Sequence, residues 1–333
     1  MHRGGYDMDS GRTEMTKAAC SVLNKLKSEV SKVVSGKEKE IDLLICALIG
    51  GGHVLIEDVP GVGKTTLATA LSKAAGLTFR RAQFTPDVMA SDITGFNMYN
   101  RKTESFEFRQ GLVNTNILLA DEINRASPKT QSSLLEAMEE MRVTVDGVTY
   151  DVPQPFMVIA TQNPMGFVGT FPLPEAQLDR FAIRISMGYP DKGQELNILR
   201  RRKTDDPMST VEPLSDDKAI RSCRAIAETV YVSELVEGYI IDLVSQTRAR
   251  CELSLGASPR ASLALMRLSR AKALLDNRDF VRPEDVAELF ISAVSHRVTL
   301  SRDALASGIT AEAVLNDILN TTKVPFRVGS GSK

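Results

Sequence analysis

Tryptophan is absent from this 333-residue chain, and cysteine, histidine and aromatic residues are scarce: 4 Cys, 3 His and 5% aromatic. Cys20, Cys46, Cys223 and Cys251 form no Cys-x-x-Cys, so their spacing excludes a metal knuckle and predicts reduced, mostly buried thiols. His2, His53 and His296 lie far apart, which argues against a zinc site. Neither sign of charge dominates: 41 basic against 42 acidic residues leave a net charge of −1. Domains that coat nucleic acid are usually strongly basic, so nucleic acid is not an expected partner. Long hydrophobic runs are missing too. The longest, Leu43 to Ile49, falls well short of the ~18 residues a membrane span needs. The N-terminal stretch mixes both charges and holds no apolar core, so no signal peptide is expected and a cytoplasmic location is. What is present is an ordinary globular composition, 43% hydrophobic and 25% charged, which excludes disorder as the main state.

Residues 14–34 carry Val22, Leu26 and Val30 at helical spacing, which predicts an amphipathic helix closed by Gly36. A second, nearly all-apolar helix is expected over 38–49, broken by Gly50-Gly51-Gly52. From 53 to 190 the texture changes. Short apolar runs at 53–57, 117–120, 156–161 and 181–187 each end in a loop and alternate with helical stretches such as 64–75. Such runs read as strands covered on both faces. The fold class they predict is α/β, an αβα sandwich around a mostly parallel sheet. Residues 91–114 read as an inserted hairpin. Residues 142–152 read as a second, turning at Asp146-Gly147. After a linker near Tyr189-Pro190-Asp191 only helical patterns occur, near 192–202, 215–230, 233–248, 260–275, 283–295 and 310–320. An all-helical second domain is therefore expected.

The strongest chemical signal is Asp58-Val59-Pro60-Gly61-Val62-Gly63-Lys64-Thr65-Thr66, between a strand and a helix. In that context glycines fold the backbone into a cradle of N–H groups, and a helix N-terminus adds positive potential, so a triphosphate fits. Lys64 would reach the β- and γ-phosphates, and the Thr65 hydroxyl would ligate Mg²⁺. A lysine in the first turn opposes the helix dipole, and a bound anion would compensate. Asp58 stands where this pattern usually has glycine. Its carboxylate is expected to fold back onto a local backbone N–H.

A second signal is the apolar run Ile117 to Ala120, which delivers Asp121 and Glu122 to a strand's carboxyl end, the edge where open α/β sheets bind ligands. Asp121 would support Mg²⁺ and Glu122 would polarise a water. Asn163, after another apolar run, has the donor and acceptor to hold that water, although Asn163-Pro164 also reads as a plain turn. Arg180 follows Asp179 just before a strand. It reads either as a surface ion pair worth under ~1 kcal/mol or as an arginine finger aimed at a neighbouring subunit. In Gly256-Ala257-Ser258-Pro259-Arg260-Ala261, Ser258 is a good N-cap and Pro259 a good first helical residue. Arg260 then sits in the first turn, where a protein carboxylate or a phosphate would satisfy it.

Together these stretches, with Asp121-Glu122-Ile123-Asn124-Arg125-Ala126 and Leu173-Pro174-Glu175-Ala176-Gln177-Leu178-Asp179-Arg180-Phe181, resemble the MoxR family of AAA+ ATPases from about residue 30 to 320. The resemblance implies an N-terminal helix and tail (1–35), a nucleotide-binding αβα core (36–190) with inserts at about 91–114 and 142–152, a helical lid (191–325) and a flexible tail (326–333). It implies that the nucleotide lies between core and lid. It carries Walker A onto Lys64 and Thr65, Walker B onto Asp121 and Glu122, sensor 1 onto Asn163, the arginine finger onto Arg180 and sensor 2 onto Arg260. ATP or ADP with Mg²⁺, a hexameric ring and a protein partner with a von Willebrand factor A domain are likewise implied. The function it implies is ATP hydrolysis coupled to chaperone-like remodelling or to cofactor or metal insertion in a partner. The competing readings are a nucleic-acid-associated motor and a nucleotide-gated scaffold with little turnover.

Overall fold

The computed structural model of the protein describes residues 5–59, 61–163, 170–201, 206–214 and 218–325. Pro60, residue 202, the 165–168 stretch, the start of the helix expected over 215–230 and the tail at 326–333 lie outside the described residues.

The chain opens with α1 (Gly5–Ser31) and α2 (Glu38–Ile49), then alternates through β1 (Val54–Glu57), α3 (Lys64–Ala75) and β2 (Phe79–Gln83). Next come α4 (Ala90–Thr94), the hairpin β3 (Gly95–Asn100) and β4 (Ser105–Gln110), and β5 (Ile117–Asp121). After α5 (Pro128–Glu140) lie the hairpin β6 (Arg142–Val145) and β7 (Val148–Asp151), then β8 (Met157–Gln162), α6 (Glu175–Leu178) and β9 (Ile183–Ile185). Five strands form one parallel sheet in the order β2-β5-β8-β1-β9. The order reverses at β1. The chain leaves β1 for the β2 edge, returns through β5 and β8, and places β9 on the other side. Ligands bind beyond the carboxyl ends of strands at such a switch point.

Alternation divides each inner strand between two cores. Val54, Ile56, Leu119 and Ile159 join one buried cluster with residues of α1, α2 and α3, whereas Leu55, Leu118, Ala120 and Val158 pack with Leu134, Leu135 and Met138 of α5. Burial on both faces is why these strands read as unbroken apolar runs. The edge strand β2, Phe79-Arg80-Arg81-Ala82-Gln83, is half exposed and charged, so no apolar run marks it.

Both hairpins lie within the expected inserts, although the first insert begins with α4. In the second, Asp146 (φ +49°) and Gly147 (φ +82°) supply the two positive φ values that a type I′ turn requires. The hairpins touch: Phe108 stacks on Tyr150 at 3.8 Å between centroids, and Asn97 Nδ2 donates to Asp146 Oδ2 at 2.8 Å.

Beyond β9 follow α7 (Lys192–Arg201), α8 (Lys218–Glu228), α9 (Glu234–Ala249), α10 (Pro259–Leu275), α11 (Pro283–Val294), α12 (Arg302–Ala306) and α13 (Ala311–Thr321). A short antiparallel pair, β10 (Leu253–Leu255) and β11 (Thr299–Leu300), corrects the expectation of a purely helical lid. Three and two residues are too few to show a period of two. The N-terminal helix does not stand apart. It packs against α3, α8 and α10, with Leu23, Leu26 and Val30 fully buried, and so joins core to lid.

Candidate functional site

Strand β1 feeds the loop at 58–63, and α3 begins at Lys64. Gly61 (φ +89°) and Gly63 (φ +94°) hold left-handed backbone. A side chain built on Gly61 would meet nothing within 4 Å, so the conformation and not crowding demands glycine there. Gly63 caps α3 without a side-chain hydrogen bond, and no acidic residue occupies the first turn. The first-turn N–H groups are thus left for an anionic ligand. Lys64 Nζ donates to the Asp58 carbonyl at 2.8 Å. Burial lowers the pKa of its ammonium, opposed by the negative charges of Asp58, Asp121 and Glu122.

Asp58 does turn onto a local N–H: Oδ1 accepts from Val59 N at 2.8 Å. Its other oxygen reaches much further along the chain. Oδ2 accepts from Met187 N and Gly188 N, both at 2.6 Å, just beyond β9. The buried carboxylate therefore ties the glycine loop to the start of the linker and does not face the phosphate cradle.

At the end of β5, Asp121 is buried, with Oδ2 2.7 Å from Arg81 Nε. Glu122 sits in left-handed backbone (φ +56°, ψ +49°), an uncommon conformation for this residue type that functional sites often hold. The buried Thr161 hydroxyl on β8 accepts from Glu122 N at 2.9 Å and donates to Asp121 Oδ1 at 3.3 Å. One hydroxyl thus sets both acidic residues. Glu122 Oε2 pairs with Arg125 Nε at 2.7 Å.

Lys64, Thr65, Asp121, Glu122 and Asn163 meet in one polar cleft of about 320 Å³, with Arg81 and Thr161 in its wall. An apolar pocket of about 300 Å³ adjoins it across Gly61 and Gly63, lined by Val33, Val34, Val62, Met187, Pro207 and Met208. A flat aromatic base suits the second and a phosphate chain the first. Among the described residues no group of three or more His, Cys, Asp or Glu could hold a metal. The Thr65 hydroxyl and Asp121 carboxylate are hard oxygen donors that suit Mg²⁺, whose remaining ligands come from phosphate and water. The guanidinium already on Asp121 shows a carboxylate placed to balance a cation.

Arg180 and Arg260 lie elsewhere. Ala182 N donates to His53 O at 2.9 Å, so the segment before β9 sits beside the segment before β1. That is the amino edge of the sheet, and β1 alone spans about 13 Å to the carboxyl edge. There, Arg180 Nη2 lies 3.1 Å from Glu139 Oε2, and Arg260 Nη2 bonds Glu139 Oε1. Ser258 accepts from Arg260 N at 3.1 Å and Pro259 opens α10, as the sequence predicts. Glu139 is the protein carboxylate that Arg260 meets. The apolar pocket beside the glycine loop is flanked by the α1–α2 turn and by residues 206–208 of the expected lid, and α10 does not line it.

Sequence reasoning missed Arg81, Thr161 and Glu139. Arg81 lies on the unrecognised edge strand. Thr161 reads as the end of an apolar run, and Glu139 as a solvated helix position.

Residues 53–183 match the family model described as the ATPase family associated with various cellular activities (AAA), and residues 245–318 match the AAA lid domain. YeaC, an uncharacterized protein of Bacillus subtilis, is 46% identical over 306 residues, 92% of this chain and 96% of that protein. Chaperone MoxR1 of Mycobacterium tuberculosis is 39% identical over 96% of this chain and 87% of its own length. The crystal structure of a presumed ATPase from Cytophaga hutchinsonii superposes with a TM-score of 0.89 at 38% identity, covering 97% of this chain and 100% of that one. With such identities over nearly its whole length, the chain belongs to the MoxR family of AAA+ ATPases.

Proposed function

We propose that the protein hydrolyses ATP to ADP and phosphate with Mg²⁺, as a hexameric homo-oligomeric ring, to drive chaperone-like remodelling or cofactor or metal insertion in a partner protein with a von Willebrand factor A domain. The observation that carries hydrolysis is the meeting of Lys64, Thr65, Asp121, Glu122 and Asn163 in one cleft at the carboxyl edge of a parallel sheet. Similarity to a protein named a chaperone supports the coupled role.

In this reading the N–H groups of 61–66 hold the phosphates, and Lys64 spans the β- and γ-groups. Thr65 and Asp121 would hold Mg²⁺, which supplies charge neutralisation on the phosphate oxygens. Glu122 polarises the attacking water, Asn163 orients it, and Thr161 keeps Glu122 in place. Arg180 and Arg260 face away from their own cleft, so each pair serves the site of the next subunit in the ring. A finger of this kind is worth ~10³–10⁵ in rate. No helix among the described residues is long and apolar enough to cross a membrane. The proposed compartment is the cytoplasm, where ATP is supplied and the four free cysteines stay reduced.

Phosphate release by the wild type and by Glu122→Gln, each with and without DNA, tests the reading. We expect Mg²⁺-dependent turnover in the wild type, loss of at least ~10²-fold in the variant with nucleotide binding kept, and no response to DNA. Stimulation by DNA would make the protein a nucleic-acid motor. Equal, negligible turnover in both proteins would make it a nucleotide-gated scaffold.

A further inference from the structure

Asp179 immediately precedes Arg180, and its carboxylate is divided between two partners beyond the core. Oδ2 accepts from Ser258 Oγ at 2.7 Å, and Oδ1 faces Arg297 Nη1 at 3.2 Å. Ser258 is the N-cap of α10 and stands two residues before Arg260. Arg297 is only 5% exposed. Its Nη2 donates to the Phe181 carbonyl at 2.5 Å, an oxygen that His296 Nε2 also meets at 2.9 Å. A guanidinium so deeply buried is costly unless an anion faces it, and Asp179 supplies that charge.

We propose that Asp179 and Arg297 form a positioning lock that presents Arg180 and Arg260 as one unit to the ATP site of the neighbouring subunit. The proposal rests on the reading that these two arginines act across the subunit interface. Neither arginine side chain is fixed by packing: Arg180 is 30% exposed and Arg260 47% exposed. Their common partner, Glu139, is itself partly exposed, and such pairs are weak enough to exchange for a phosphate. Once the side chains leave Glu139, only the backbone beneath them sets where they reach. Asp179 governs that backbone, because its carboxylate joins the residue before Arg180 to the cap of the helix that carries Arg260. The charge pair with Arg297 is buried, without hydrogen-bond geometry, and takes no part in the exchange. An ångström of misplacement at a reacting phosphate is enough to lose about a hundredfold in rate, so this rigidity has a functional consequence.

The lock predicts a defect that belongs to the neighbour's site and not to the subunit's own. Asp179→Asn keeps an acceptor for Ser258 but leaves the Arg297 charge unanswered. Rings made only of this variant should lose about tenfold or more of their phosphate release, while binding of the fluorescent nucleotide mant-ADP stays within about twofold of the wild type. The variant is then co-expressed with Lys64→Ala chains, which have intact arginines and a disabled glycine loop. Random equal mixing pairs a sound loop with intact arginines at about one interface in four, so turnover should recover to roughly a quarter of wild type per site. Arg297→Lys, which keeps the charge but gives up the guanidinium's separate contacts to Phe181 O, His296 and Asp179, should show a milder loss and the same recovery. Arg180→Ala mixed with Lys64→Ala is the reference. If that reference recovers and Asp179→Asn does not, the lock is wrong. If Asp179→Asn loses mant-ADP binding, Asp179 supports its own site and the lock is wrong as well. If the reference itself fails to recover, the cross-interface reading fails and the lock falls with it.

Discussion

Arg180 of the core and Arg260 of the lid share a single carboxylate, Glu139 at the end of α5. Two guanidinium groups on one carboxylate leave an excess positive charge at the amino edge of the sheet, away from the chain's own glycine loop. Glu139 is 36% exposed, so each contact contributes under about 1 kcal/mol. The arrangement holds both arginines ready without holding them tightly. Glu139 therefore competes with the phosphate that the arginines are proposed to meet.

Removing this competitor has a definite direction. Glu139→Gln is expected to lower the KM for ATP about two- to fivefold, the factor equivalent to a contact of under about 1 kcal/mol, with kcat unchanged or raised. Steady-state phosphate release over a range of ATP concentrations measures it. A higher KM would mean that Glu139 orients the arginines for their task and does not restrain them.

Asp58 is expected to matter for stability more than for affinity. Its carboxylate takes the N–H groups of Val59, Met187 and Gly188. Asp58→Ala leaves the donors beyond β9 without an acceptor, at about 1–3 kcal/mol for each buried group. The thermal midpoint should fall by roughly 5–10 °C while mant-ADP affinity changes less than about tenfold. Scanning fluorimetry and a nucleotide titration decide it. An unchanged midpoint would show that water satisfies those amides and that the link to the linker has no energetic weight.

The inner strands and most long helices were legible because burial writes itself into residue order. Leu55 and Ile56 face different cores, so β1 can only be apolar throughout. The glycine loop, Asp121 and Glu122 were legible because local backbone geometry fixes their residue types and spacing. What stayed hidden depends on distant partners. The pairing of Arg81 with Asp121 needs β2 beside β5, and β2 as an edge strand carries no hydrophobic signature. The placement of Arg260 beside Glu139 depends on how the lid docks. Ser258 and Pro259 predicted the helix start correctly, yet nothing local says which carboxylate that start will meet. The long reach of Asp58 to Met187 is hidden for the same reason: its hydrogen bond to Val59 is local, and its others are not.

The Arg81–Asp121 pair makes a prediction about metal. Arg81 Nε occupies Asp121 Oδ2 at 2.7 Å, the carboxylate proposed to support Mg²⁺. The Arg81 side chain is 51% exposed, so water screens the pair and it is worth under about 1 kcal/mol. Arg81→Gln should therefore lower the apparent Mg²⁺ dissociation constant, read from mant-ADP binding, by about two- to fivefold. A raised Mg²⁺ requirement would mean that Arg81 helps to place the metal and does not compete with it.

Acid sensitivity follows from two buried histidines. His53 Nδ1 accepts from Val158 N at 3.0 Å, and Nε2 meets the Met138 carbonyl at 3.0 Å, an arrangement that fits a neutral ring with its proton on Nε2. Burial lowers the His53 pKa to about 4. Burial, and then the Arg297 charge, push His296 well below its ordinary value as well. In the unfolded chain both titrate near about 6.5. Between that value and the folded pKa the unfolded state binds more protons, so stability falls as pH falls and is fully present above about pH 6.5. By pH 5, His53 alone withdraws roughly 2 kcal/mol. The thermal midpoint should drop between pH 7.5 and pH 5, and His53→Gln, which offers a donor and an acceptor without titrating, should have a shallower slope. Equal slopes in the two proteins would show that the acid sensitivity arises elsewhere.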